Sequence, residues 1–200
     1  MARKKKEQVE KSILESARRL FARFGLKKTT MDDIAQQAGV GKATIYYYFR
    51  DKEEVFLKVI QKEADELLVR LEQAIAEYEN PELKLKAMIL ERAVALAELV
   101  NLRWLNTAGD ALRYQELAKE RRRLSQREQK LLEQILREGK EQGLFSLEDP
   151  NFTARSLSEL ISALERNFES LSPQEVKSRL EASLRLILDG IRARKLAPQS

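Results

Sequence analysis

A chain of 200 residues that is 43% hydrophobic and 34% charged can bury roughly 70% of its unfolded surface, in one or two compact domains. Seven Gly and four Pro leave little turn chemistry, and Leu, Ala, Glu, Lys, Arg and Gln dominate, so an all-α chain is expected and a β-sandwich is disfavoured. Without cysteine or histidine, disulfides, thiolate metal sites, thiol nucleophiles and the commonest general base are excluded.

The carboxylates form no recognisable acid/base or metal-ligand arrangement, so the expectation is no catalysis, no cofactor and no metal. No apolar run approaches the roughly 18 residues that cross a bilayer, and a soluble, cytoplasmic protein with no membrane partner is expected. Charge is uneven. Residues 1–60 carry 14 Lys/Arg against 8 Asp/Glu, or +6, whereas residues 61–200 carry 23 against 24, or −1. This basic N-terminal part points to a polyanion partner, nucleic acid or an anionic membrane surface.

The first helix is predicted from about Lys6 to Phe24, where Val9, Ile13, Ala17, Leu20, Phe21 and Phe24 recur at helical spacing and Gly25 stops them. Thr30 caps a short second helix that ends near Ala38, with Asp32 and Asp33 in its first turn. A three-residue break, Gly39-Val40-Gly41, leads into a helix over Lys42 to Phe49. Asp51 caps a long helix from Lys52 to about Tyr78, ended by Asn80-Pro81. From Pro81 the helical pattern continues through Leu105, breaks at Gly109-Asp110, and resumes from about Leu112 to Gln142, where Gly143 ends it. A turn over 144–150 precedes a helix carrying Leu157, Leu160, Ile161, Leu164 and Phe168. Ser172-Pro173-Gln174-Glu175 then starts a final helix with Leu180, Leu184, Ile187, Leu188 and Ile191.

The informative stretch is Ile34 to Phe49. Ala35 is small where a second helix must cross, Gly39 can take the positive φ of the turn, and Val40 and Ile45 plug the interface beside Ile34 and Ala38. An ordinary αα-hairpin would share these features. It would not ask for Lys42, Thr44, Tyr46 and Tyr47 on the outer face of the second helix, which supplies donors to a polyanion.

Thr29-Thr30, Ile34-Ala35, Ala38-Gly39-Val40, Thr44-Ile45-Tyr46, Tyr48-Phe49 and Lys52-Glu53 resemble the signature of TetR-type repressors, over about residues 9–60. Residues 138–145 and Asp149-Pro150 resemble a junction between later helices of that family. The resemblance implies a helix-turn-helix DNA-binding domain over 1–51 and a helical effector-binding and dimerisation domain over 52–200. By the same resemblance Lys42, Thr44 and Tyr46 face base edges or phosphates, Tyr47 contacts phosphate, and Thr30 and Lys52 clamp the backbone. Lysine and tyrosine donors suit phosphate oxygens, and Ala43 can touch a thymine methyl. Gly41 stands where the family often has Ser, and Asp32 places a negative charge near the groove, able to repel phosphate or to accept from a cytosine amine.

Arg3 to Lys6 reads equally as a DNA-contacting arm and as a solubilising tail. Lys119 to Arg123 reads as a solvated helix face paired with Glu116, Glu120 and Glu128. Met88, Trp104, Tyr114 and Phe168 are candidates for an apolar effector pocket, with core packing as the plainer reading. The apolar residues of the last two helices exceed what one helix pair can bury, so a homodimer is expected. The expected function is a homodimeric repressor released from palindromic double-stranded DNA by a small, largely apolar effector. The alternative is a ligand-independent DNA-binding regulator or chromosome-organising factor whose body binds another protein.

Overall fold

The computed structural model describes residues 2–102, 115–165 and 173–192. Among them it holds eight helices and no sheet: α1 (Ala2–Lys28), α2 (Met31–Ala38), α3 (Lys42–Tyr48), α4 (Lys52–Ala76), α5 (Pro81–Glu98), α6 (Gln115–Glu141), α7 (Pro150–Glu165) and α8 (Pro173–Ile191). The all-α expectation is met. The chain forms two compact units, one of residues 1–66 with 99–120 and one of residues 67–98 with 121–200.

In the first unit, α1 buries Ile13, Ala17 and Phe21 of the stripe read from its spacing, while Val9 and Leu20 are half-buried and Phe24 is exposed. The Phe21 ring meets Phe56 of α4 edge-on at 5.0 Å. The helix begins at Ala2, four residues before the expected start, because Ala, Arg and Lys all favour the helical state. It breaks at Gly25, whose φ of 76° and ψ of 165° belong to a region open almost only to glycine. Thr29 Oγ1 donates to the Gly25 carbonyl at 2.9 Å and holds that corner.

α2 starts in a capping box. The Thr30 hydroxyl accepts from the Asp33 amide, and the Thr30 amide donates to the Asp33 carboxylate. At its far end Gly39 takes the left-handed conformation, φ 68° and ψ 30°, and the Val40 amide donates back to the Ala35 carbonyl at 3.0 Å. Ser12 of α1 donates to the Ala38 carbonyl. α4 begins with a second reciprocal cap: Asp51 Oδ1 accepts from the Glu54 amide and Glu54 Oε2 from the Arg50 amide, both at 2.8 Å.

The centre of this unit is a buried charge. Glu63 of α4 is 1% exposed. Its Oε1 accepts from Arg18 Nε at 3.1 Å and from Asn101 Nδ2 at 2.8 Å, and its Oε2 accepts from the Leu102 amide at 2.7 Å. Asn101 also donates to the Arg18 carbonyl at 3.1 Å. A carboxylate removed from water requires such donors, and here it draws the chain after α5 into a turn. The helix expected to run from Pro81 through Leu105 therefore stops at Glu98.

The second unit packs the remainder of α4 (Leu67, Leu68, Leu71), α5 (Leu85, Met88, Ile89), α6 (Leu132, Ile135, Leu136), α7 (Leu157, Ile161) and α8 (Leu180, Leu184, Leu188). Gly139 of α6 lies flat against the Phe145 ring, where a side chain would collide with it, which explains glycine in the 138–145 segment. Polar ties join the helices: Arg92 to Glu128 at 2.6 Å, Arg70 to Glu91 and Glu98, Lys84 to Glu138, and Arg192 to Glu82. The Arg192 guanidinium holds the Glu82 carboxyl below its usual range. Glu128, expected on the solvated basic face of α6, is instead buried against Arg92, while Lys119 does pair with Glu116.

Replacing the central carboxylate tests its role in the turn. Glu63→Gln should cost about 1–3 kcal/mol in urea unfolding and speed hydrogen exchange at the Leu102 amide. An unchanged Leu102 amide would show that the turn stands without the charge.

Candidate nucleic-acid interface

The geometry of α3 follows from two buried anchors. Ile45 is fully buried and the Phe49 amide closes the helix on the Ile45 carbonyl at 2.9 Å, so the opposite face turns outward. Lys42, Ala43, Tyr46 and Tyr47 are exposed there, Tyr47 at 73%, and Thr44 is half-buried. The Tyr47 ring meets Tyr48 edge-on at 5.3 Å. Lys6 of α1 sets its ammonium over both rings, 5.3 Å from Tyr47 and 6.0 Å from Tyr48. Lys6 is thus tied to the outer helix, a contact with no signature in sequence spacing.

Several polar groups of this face already have partners within the chain. Lys42 Nζ lies 2.9 Å from Asp32 Oδ2, joining the first residue of α3 to the first turn of α2. That hydrogen bond, with the charge of Asp32, holds the Lys42 ammonium above its ordinary range. The Thr30 hydroxyl donates to Asp33 Oδ2 at 2.7 Å, and the bonds from Thr30 hold the Asp33 carboxyl below its usual range. The Lys52 ammonium donates to the carbonyls of Leu26, Lys27 and Thr29 at 3.0, 3.4 and 3.2 Å, a cation at the end of α1 where carbonyls lack helical partners. The spacing of Asp32 and Lys42 across a helix-turn-helix could have revealed their meeting. Nothing in the sequence marks the carbonyls that Lys52 finds.

At Gly41, the α3 cap, backbone angles of −70° and 152° suit any residue, and an added Cβ would come no closer than 3.8 Å, to Thr44 Oγ1. Serine fits there as it does in the resembled signature.

Of the four effector-pocket candidates, Met88 is 1% exposed and lines a small cavity with Ile89, Arg92, Glu128, Leu132, Ser158 and Ile161. The cavity holds no more than about one water molecule. Trp104, Tyr114 and Phe168 lie outside the described residues, as does the expected break at Gly109-Asp110.

A short helix, a three-residue turn around a left-handed glycine and an outward helix bearing lysine and tyrosines define a helix-turn-helix DNA-reading head. Residues 13–59 match the family of bacterial regulatory proteins, tetR family. Over 195 residues the chain is 32% identical to an uncharacterised HTH-type transcriptional regulator of Bacillus subtilis, YhgD, covering 92% of this chain and 97% of that one. It is 31% identical over 90 residues to the fatty acid metabolism regulator protein of Bacillus subtilis, covering 45% of this chain and 46% of that one. A solved TetR/AcrR-family transcriptional regulator from Thermobifida fusca superposes with a TM-score of 0.73 at 25% identity, over 90% of this chain and 97% of that one. The protein belongs to the tetR family of bacterial regulatory proteins and is a DNA-binding transcriptional regulator.

The three carbonyl contacts make Lys52 a structural tie of the head. Lys52→Met should lower stability by about 1–3 kcal/mol, read as a shift of the urea midpoint. Unchanged stability with weakened DNA binding would show instead that the ammonium serves phosphate alone.

Proposed function

We propose that the protein is a homodimeric repressor that sets α3 of each subunit into successive major grooves of a palindromic operator and leaves it when a small, largely apolar effector binds. The observation that supports this reading is the outward face of α3, where Lys42, Ala43 and Tyr46 are exposed and Thr44 half-buried while Ile45 and Phe49 anchor the helix. In the proposed complex those four side chains meet base edges or phosphates. Tyr47 contacts phosphate. Thr30 and Lys52 clamp the backbone through the helix starts that they occupy, whose amides attract anions. In functional terms residues 1–51 read DNA and residues 52–200 sense and dimerise.

The +6 charge of residues 1–60 makes the electrostatic test direct. With about 6–10 phosphates neutralised per dimer, log affinity should fall with log salt at a slope of about −5 to −9. Fluorescence anisotropy on labelled operator measures it, and a slope near zero would remove the DNA reading.

The dimer rests on apolar surface that one chain leaves uncovered. Of the residues expected to drive it, Leu157, Ile161, Leu180 and Leu184 are buried within the chain against its own helices, whereas Leu160 is 46% exposed; Leu186, which the apolar spacing did not single out, is 75% exposed. Leu186→Glu should therefore give monomers of nearly unchanged melting temperature in sedimentation, whereas Leu184→Glu should unfold the body. A wild-type monomer at micromolar concentration would overturn the assignment.

Release by an effector requires differential affinity: a ligand that prefers the released state about 100-fold shifts the equilibrium by about 2.7 kcal/mol. Met88, Trp104, Tyr114 and Phe168 are the proposed contacts. An effector should shift the fluorescence of Trp104, the only tryptophan, and release operator over the same concentrations, while operator weakens effector binding by the same factor. The close packing around Met88 favours a second reading, a ligand-independent regulator. That reading gains if a compound perturbs Trp104 and leaves operator affinity unchanged.

A further inference from the structure

Asp32 and Lys42 are oppositely charged, come from different helices, and meet at 2.9 Å on the outer face of the head with 61% and 66% of their side chains exposed. A carboxylate beside the groove-facing helix should weaken attraction to phosphate, so its presence asks for a reason. Resting on the reading of α3 as the groove-facing helix, we propose that Lys42 and Asp32 act as one readout unit that selects a single G·C base pair in each half-site, guanine facing Lys42 and cytosine facing Asp32.

The chemistry is one of matched pairs. An ammonium has three N–H donors, of which Asp32 takes one, and the other two suit guanine O6 and N7. The carboxylate keeps lone pairs for the cytosine N4 amine. Guanine O6 and cytosine N4 are themselves neighbours across an ordinary hydrogen bond of about 2.9 Å, the same separation as Lys42 Nζ from Asp32 Oδ2. Side-chain pair and base-pair edge can therefore lie against each other donor to acceptor. A C·G or A·T pair reverses the order, aiming an amine at the ammonium and an acceptor at the carboxylate. A T·A pair keeps the central order but sets a methyl group where guanine has N7 and an adenine N7 acceptor near the carboxylate. The expected preference is G·C, then T·A, then the two reversed pairs. Pairing also withholds the Lys42 charge from phosphate, which lowers binding to DNA of any sequence relative to the operator.

The test is selection from randomised DNA by the full-length protein, as wild type, Asp32→Asn, Asp32→Glu and Lys42→Gln, with melting curves confirming that each variant folds. Wild type should select G·C at one position per half-site. Lys42→Gln and Asp32→Asn should both relax that same position, reducing its discrimination against C·G by about 5- to 150-fold, whereas Asp32→Glu retains the order. Asp32→Asn should also raise affinity for non-operator DNA and steepen the salt slope by about 0.9 per subunit as the freed Lys42 finds a phosphate. The proposal is overturned if the two positions act on different base pairs, if the selected pair is C·G or A·T, or if Asp32→Asn leaves both consensus and slope unchanged. A wild-type consensus indifferent to Asp32 removes the paired readout alone. A wild type with no consensus and no salt dependence removes the DNA reading with it.

Discussion

Glu63 is a carboxylate in a place without water, and the head is arranged around that fact. An ionised group buried to 1% exposure is costly unless several donors converge on it. It obtains three of them from two separate stretches of chain: Arg18 in α1, and Asn101 with the Leu102 amide in the turn after α5. Because Asn101 reaches on to the Arg18 carbonyl, α1, α4 and the turn are locked in one register. α1 carries that register outward: Ser12 holds the end of α2, and Lys52 at the start of α4 ties down the end of α1. The angle at which α2 and α3 are offered to a partner is thereby set from a single interior point.

On the outer face the same economy of charge operates at the surface, with a different result. Lys42, Thr30 and Lys52 all have intramolecular partners, so their rotamers are held before any DNA arrives. A surface held in this way loses less side-chain freedom on binding. The cost is that a partner must offer something better than the bond already made. Exposed pairs such as Lys42 with Asp32 are weak in water and can open or reorient. The Lys52 ammonium, gripped by three carbonyls, has little reason to leave.

The body follows another rule. Its helices are largely apolar inside, yet Arg92 and Glu128 are buried together beside Met88 and Ser158. Such a pair adds little net stability compared with hydrophobic residues of similar volume, but removing one partner strands a charge. It therefore restricts how α5 and α6 can be repacked. Any effector that enters beside Met88 must either preserve that ion pair or satisfy both its members.

Much of this was legible in the sequence because it is local. Thr30, Gly39 and Asp51 mark helix ends by the bonds and backbone angles they allow, and the alternation of apolar residues in α1 and α2 identifies the faces that meet. The helix-turn-helix needs only those short-range rules, so its position and the outward set on α3 could be read from residues 30–49 alone. What tertiary structure decided is where distant groups must meet. The pattern after Pro81 is helical through Leu105, but Glu63, nearly 40 residues earlier, takes the Leu102 amide and ends the helix at Glu98. Leu157 and Leu160 stand three residues apart on the expected stripe of α7, yet Leu157 is buried within the chain and Leu160 is 46% exposed. Periodicity fixes which residues share a side of a helix, and only the packing of the other helices determines which side is covered. A charge without nearby partners does not reveal in its own sequence neighbourhood which donors will reach it, because those donors are brought close by folding alone.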